Sequence, residues 1–220
     1  LITIAPAGMI TYSTPEHITT IGNSAFRGYN EIESITLGEN VTTIGNMSFY
    51  DCDALSDINL HDNITSIGEY AFASCWNLET IVLPNSIETI APGTFAQCSN
   101  LLNITIPESV ATIDEYAFLV ANNLKEVKID GSIEHINNNS FAGSLLNTIF
   151  IFNRVTNIGE NAFSNSSLII IWISTFFLFI FFFFLYKFLT GCLQIKKQKS
   201  IYNFYLQYLY IHYKFLYPYL

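Results

Sequence analysis

Phenylalanine returns at Phe26, Phe49, Phe72, Phe95, Phe118, Phe141 and Phe163, five times at a step of 23 residues and once at 22. Isoleucine keeps the same interval five residues earlier, at Ile21, Ile44, Ile67, Ile90, Ile113, Ile136 and Ile158. A period of this size restricts the chain to a solenoid, because each unit is too small to bury its apolar face except by stacking on its neighbours.

The stretch from Leu55 to Cys75 is representative. Leu55, Ile58, Leu60 and Asn63 spell L-x-x-I-x-L-x-x-N, which is similar to the core pattern of a leucine-rich repeat. The apolar triplet recurs at Ile32/Ile35/Leu37, Leu78/Ile81/Leu83, Leu101/Ile104/Ile106, Leu124/Val127/Ile129 and Leu146/Ile149/Ile151. Alternation within Ile58-x-Leu60 points both side chains inward from a short strand. Strands of successive turns then pair in parallel about 4.7–4.9 Å apart. The small residue before each Phe (Ala25, Ser48, Ala71, Thr94, Ala117, Ser140, Ala162) leaves room for the ring, so the rings are expected to stack as a buried aromatic spine. The Ile-Gly pairs at 21–22, 44–45, 67–68 and 158–159 suggest a turn that uses glycine's backbone freedom, although Ala91, Asp114 and Asn137 fill the slot elsewhere. Asn40 and Asn63, at the ninth position, are expected to be inward polar residues bonding to the backbone of the turn.

Ile67-Gly68, Ala71-Phe72, Cys75, Leu78, Ile81, Leu83-Pro84, Ser86-Ile87 and Ile90 fit I-G-x-x-A-F-x-x-C-x-x-L-x-x-I-x-[LI]-P-x-S-[VI]-x-x-I. This resembles the BspA-type leucine-rich repeat, and the resemblance extends over residues 18–173. It implies a stacked parallel β-sheet built from ~23-residue units, the family's association with surface antigens, and adhesion to host or matrix proteins. The expected organisation is an incomplete N-terminal segment over 1–17, a solenoid of six or seven units over 18–167, a transmembrane helix over 168–189 and a basic, Tyr-rich tail over 190–220.

Charge divides the chain in the same way. All 18 acidic residues fall between Glu16 and Glu160, where the basic residues are only Arg27, Lys125, Lys128 and Arg154. An acidic body repels phosphate backbones and argues against nucleic acid as a partner. Beyond Leu168 stand no acids and five lysines, Lys187, Lys196, Lys197, Lys199 and Lys214. The apolar run from Leu168 to Tyr186 is long enough for a helical span, and the lysines after it place the C-terminus in the cytoplasm and the repeat body outside. Two features pull against this reading. Leu168, Ile171 and Ile173 continue the strand pattern, and the Phe- and Tyr-rich composition of 176–220 is that of an extension never selected as protein. The chain begins at Leu1 without a basic region and apolar run, which suggests a missing start.

Chemistry-bearing residues are sparse. Cys52, Cys75 and Cys98 share one repeat position, but their spacing matches no zinc motif, and they read as buried apolar rungs. His17, His61, His135 and His212 share no register with them. Asp51/Asp53 and Asp114/Glu115 read as solvated loop charges. No catalytic, cofactor or metal constellation emerges, so a non-enzymatic protein is expected. Of six N-x-[ST] sequons, Asn46 and Asn138 are the candidate glycosylation sites. The candidate binding face comprises the outward strand positions Thr36, Asn59, Thr80, Val82, Asn103, Thr105, Glu126, Lys128 and Phe150. The preferred reading is a surface-displayed, membrane-anchored repeat protein that binds host, matrix or other surface proteins. The alternative is an intracellular repeat scaffold with a tail anchor or a spurious apolar extension.

Overall fold

The computed structural model describes residues 8–129, 133–151, 155–167 and 170–173, with residues 150–151 and 170–173 described as backbone only. The chain winds as a parallel β-solenoid in which each turn carries one spine phenylalanine; turns 1 to 7 are numbered by Phe26 to Phe163. A turn contains two short strands (turn 4 only the second) and then a tight non-strand segment bearing the Phe. The first strands are β1 (Thr11–Ser13), β3 (Ser34–Thr36), β5 (Asp57–Ile58), β8 (Asn103–Ile106), β10 (Glu126–Ile129), β12 (Thr148–Ile151) and β14 (Ile170–Ile173). The second strands are β2 (Thr20–Ile21), β4 (Thr43–Ile44), β6 (Ser66–Ile67), β7 (Thr89–Ile90), β9 (Thr112–Ile113), β11 (His135–Ile136) and β13 (Asn157–Ile158). Every pairing is parallel and joins equivalent positions of successive turns, as Lys128 opposite Thr105 and Ile44 opposite Ile67 show.

The predicted spine is present. Phe26, Phe49, Phe72, Phe95, Phe118 and Phe141 are fully buried, and successive rings from Phe26 to Phe163 stack with centroids 5.0–5.6 Å apart. The inward strand residues Ile35, Ile104 and Val127 and the second ladder's Ile21, Ile44 and Ile113 close the core around them.

The Phe segment forms a third ladder that the sequence did not announce. Ser24, Phe26 and Gly28 donate their N–H groups to the carbonyls of Asn46, Ser48 and Tyr50 in the next turn, at 2.9, 2.7 and 2.8 Å. The intervening Ala25, Arg27 and Tyr29 donate within the turn, to Gly22, Ser24 and Phe26. Every donor between 24 and 29 is thus used, as burial of the backbone requires. The alternation demands positive φ two residues before and two residues after each Phe. Ser24, Met47, Tyr70, Gly93, Tyr116, Asn139 and Asn161 hold the first position, and Gly28, Asp51, Ser74, Gln97, Val120, Gly143 and Asn165 the second.

The glycines of the Ile-Gly pairs have a different purpose from the one expected. Gly45, Gly68 and Gly159 do not adopt positive φ; they admit the backbone of the preceding turn. A Cβ on Gly45 would stand 2.7 Å from the amide nitrogen of Asn23 and 2.8 Å from the carbonyl carbon of Gly22. Beside this contact runs a carboxamide ladder, in which Asn46 N–H donates to Asn23 Oδ1 at 2.9 Å and Glu69 N–H to Asn46 Oδ1 at 3.1 Å.

Both strand ladders are interrupted at turn 4, the first on both sides of it and the second between turns 3 and 4. Residues 80–83 occupy the place of a first strand but form no ladder, and β6 does not pair with β7. At this junction Ala91-Pro92 replaces the Gly-Asn or Gly-Glu of the earlier turns. A Cβ in this slot does not by itself stop pairing, since Asp114 and Asn137 carry one within the unbroken β7–β9–β11 ladder; what sets this turn apart is proline, which has no N–H to continue the carboxamide ladder. The core shows the opening: Ile58, Leu60 and Ile81 retain 8% exposure, whereas Ile104 and Val127 have 2% and 0%. The third ladder is unbroken here, with Tyr70 and Phe72 N–H donating to Pro92 and Thr94 carbonyls, both at 2.9 Å. Side chains supply bonds that strands do not. Asn85 N–H donates to Asp62 Oδ1 at 2.7 Å, and Ser86 Oγ donates to the Ile64 carbonyl. The Asn85 amides hold the Asp62 carboxyl below its ordinary value.

Cys52, Cys75 and Cys98 are free, buried rungs, as the spacing suggested. Each lies within hydrogen-bond distance of the preceding turn's Phe carbonyl, donating to Phe26, Phe49 and Phe72 at 2.9, 3.1 and 3.1 Å. Burial pushes Cys52 and Cys98 up to about 12 and Cys75 well above the usual thiol range.

The solenoid extends past both expected limits. Strand β1 lies within the first 17 residues and pairs with β3. The segment 168–189, expected to span a membrane, includes strand β14, which pairs with β12 so that Ile171 stands opposite Ile149 and Ile173 opposite Ile151. One backbone cannot be both strand and helix, and the remainder of that segment, 174–189, is shorter than the ~20 residues a helical span needs. Residues 174–220 lie outside the described residues, and among those described no helix is long and apolar enough to cross a membrane.

Three measurements check this arrangement. Phe95→Ala should lose about 3–5 kcal/mol in equilibrium unfolding, the usual cost of an aromatic cavity. Gly45→Ala should lose about 1–3 kcal/mol, the range for overpacking, although alanine is the better residue in an unstrained backbone. In native-state hydrogen exchange, the amides of Ile81 and Val82 should exchange well before those of Ile104 and Thr105.

Candidate functional site

The first-strand ladder presents one side to the core and the other to solvent. Thr36, Asn59, Thr80, Val82, Asn103, Thr105, Glu126 and Lys128 are all exposed, as alternation predicted. The side chain of Phe150, in β12, lies outside the described residues. The ladder interruption divides this face. Asn103, Thr105, Glu126 and Lys128 sit on the paired strands β8 and β10, with Asn103 opposite Glu126 and Thr105 opposite Lys128. Thr80 and Val82 belong to the unpaired stretch, and Val82 is 79% exposed.

Asn59 has a structural duty. Its Oδ1 accepts the Leu37 N–H at 2.6 Å, and its Nδ2 donates to the Leu37 carbonyl at 3.2 Å. The carboxamide therefore stands in for a strand partner beyond Ile58, where β5 ends. Asn40 and Asn63 are exposed, not inward; each donates Nδ2 to a carbonyl of the preceding turn, Glu16 at 2.7 Å and Glu39 at 2.9 Å.

The sequon asparagines differ. Asn46 is exposed; Asn138 is half-buried, accepting the Glu160 N–H at 2.8 Å and donating to Glu115 Oε1 at 3.0 Å. The hydroxyl-bearing residues of these sequons, Ser48 and Ser140, are fully buried.

Among the described residues the carboxylates assemble no acid–base pair. Asp114 and Glu115 are not the solvated loop charges expected, because Asp114 Oδ1 accepts the Glu115 N–H and Asn137 Nδ2 at 2.8 and 2.9 Å. Asp53 is half-buried too, and burial followed by repulsion from Asp51 raises its carboxyl. Of the histidines, His17 and His135 are exposed, while His61 contacts the Gly38 carbonyl at 3.0 Å. Among the described residues no three His, Cys, Asp or Glu side chains converge as a metal site.

A depression that sequence reasoning passed over lies on the opposite, Phe-turn side. It measures about 250 Å³ and is lined by Tyr50, Tyr70, Tyr116, Leu119 and Gln97, with Ala73, Ala96 and Ser74 beneath. Its origin was legible in one row. The residue after each spine Phe runs Arg27, Tyr50, Ala73, Ala96, Leu119, so two small residues in adjacent turns lie between two large ones.

Comparison with known proteins places this geometry. A leucine-rich cell surface protein from Faecalibacterium prausnitzii A2-165 superposes with a TM-score of 0.68 at 28% identity, covering 76% of this chain and 48% of that one. A leucine-rich repeat protein from T. pallidum gives 0.63 at 26% identity, covering 71% and 76%. A leucine-rich repeat protein from Eubacterium ventriosum ATCC 27560 shares the fold, with a TM-score of 0.68 at 24% identity and coverage of 76% and 46%. The chain thus spans about half the length of the first and third of these structures. Among curated proteins none is significantly similar. The BspA type leucine-rich repeat region matches in six copies over residues 8–119 and 65–187. The chain belongs to the BspA-type leucine-rich repeat family.

Proposed function

We propose that the protein is displayed at a cell surface and binds another protein, of host, matrix or cell-surface origin, through the outward side of its first-strand ladder, in a non-enzymatic role. The observation that carries this reading is the exposed row of Asn103, Thr105, Glu126 and Lys128 on β8 and β10, the four-residue strands of the ladder whose side chains are fully described. Main-chain pairing fixes their spacing, so a partner meets a pre-organised surface and less ordering entropy opposes binding. Short polar side chains at the β8 positions offer hydrogen bonds at little rotamer cost, and Lys128 supplies a cation on an otherwise acidic body. The surface location rests on the likeness to a cell surface protein.

Two experiments test the two parts. Protease treatment of intact expressing cells should remove the repeat body at the rate of an external marker; survival of the body while the marker is cut refutes surface display. Cells displaying the Thr80→Glu/Thr105→Glu/Lys128→Glu variant should adhere to immobilised extracellular-matrix protein at least about tenfold less than wild type, a loss near 1.4 kcal/mol. Unchanged adhesion by a variant with an unaltered melting curve removes the strand face from consideration.

A further inference from the structure

We infer that the depression on the Phe-turn side is a binding subsite for a single neutral sugar ring, independent of the strand face. Its lining is aromatic and uncharged. Tyr50, Tyr70 and Tyr116 are half-buried, Gln97 is exposed at the rim, and Ala73, Ala96 and Ser74 are buried beneath. Among the described residues, the three phenol hydroxyls have no hydrogen-bond partner within the protein, and the Gln97 carboxamide is engaged only by Ser74 Oγ, at 3.4 Å.

The site is held in shape from both ends. The Arg27 guanidinium stacks over the Tyr50 ring, 5.0 Å from its centroid, from the turn preceding Tyr50 and so away from the depression. The ring of Tyr70 lies where a Gly93 Cβ would stand, so Gly93 admits it between the turns. Tyr70 and Tyr116 occupy one repeat position two turns apart, which separates their backbones by about 10 Å at the strand spacing of a stacked sheet. The Tyr70 ring, lying over Gly93 of the intervening turn, takes up part of that span and leaves the depression beside it for one ring.

The chemistry selects the occupant. A wholly apolar ligand would cover phenol and amide groups without pairing them, a cost of about 1–3 kcal/mol per group. An anion meets an acidic body and no cation in the lining. A quaternary ammonium could use the ring faces, but it would leave the hydroxyls and carboxamide unpaired, and no carboxylate lines the site. A pyranose has an apolar C–H face for the rings and hydroxyls for Tyr70, Tyr116 and Gln97. The volume, about 250 Å³, is below the roughly 300–1,000 Å³ of drug-sized sites and matches a single ring.

The test titrates the full chain with the methyl glycosides of glucose, galactose, mannose and N-acetylglucosamine, with choline and a proline-rich peptide in parallel, by calorimetry and tyrosine fluorescence. At least one glycoside should bind in the millimolar range. Tyr116→Ala and Tyr70→Ala should each weaken it about tenfold or more, Tyr70→Phe should weaken it less, and Thr105→Ala on the strand face should leave it unchanged. Circular dichroism melts establish that each variant is folded, and Tyr70→Phe keeps the comparison valid if an alanine variant is not. Absence of binding by all four glycosides at tens of millimolar, binding indifferent to the tyrosines, or binding of choline or the peptide alone overturns the inference.

Discussion

Each turn must satisfy its backbone on the next at one fixed spacing, and the rest of the structure depends on that requirement. Three ladders meet it: two of short parallel strands and one in which alternate N–H groups around each Phe donate to the following turn. The phenylalanine rings, at 5.0–5.6 Å, repeat the same interval in the core. A buried N–H left without a partner costs more than an average hydrogen bond contributes. The chain therefore accepts left-handed backbone at residues as large as Met47, Tyr70 and Tyr116 to complete the third ladder.

That constraint explains why the solenoid is not uniform. Strand pairing continues past Gly45 and Gly68, and equally past Asp114 and Asn137, but both strand ladders are interrupted at turn 4, the turn in which proline follows that slot. The third ladder, the Phe72–Phe95 stack and side-chain bonds such as Asp62–Asn85, Ser86–Ile64 and Cys98–Phe72 carry the junction between turns 3 and 4. The two candidate surfaces stand in different relations to this junction. The strand face is divided by it, while the tyrosine depression bridges it on the side where the turns remain bonded.

Much of this was legible because the repeat samples each position several times. Inward strand residues, the Phe spine and the cysteine rungs are set by side-chain volume and polarity, which recur visibly. Backbone conformation was harder to read. Glycine's freedom was assigned to the Ile-Gly pairs, but in the Phe segments the left-handed glycines are Gly28, Gly93 and Gly143, dispersed among other residues such as Ser, Tyr, Asp, Gln and Asn at the same positions. The roles of Asn59, Asn40 and Asn63 also escaped, because a carboxamide bonding to another turn's backbone leaves no local periodic trace. The tyrosine depression needs four turns at once, and no single repeat contains it.

The 23-residue beat by itself determined that the chain is a solenoid, which residues face its core and which outward strand positions remain for a partner, because a small unit can bury its apolar side only against a copy of itself. Tertiary structure decided the remainder. It assigned 170–173 to a strand, since the open edge of β12 offers backbone partners there. It showed which glycines yield space and which yield angle, interrupted the strand ladders at turn 4, and brought Tyr50, Tyr70 and Tyr116 from three turns to one depression. These outcomes depend on contacts between turns about 5 Å apart in space and more than 20 residues apart in sequence, a distance that composition and local pattern do not register.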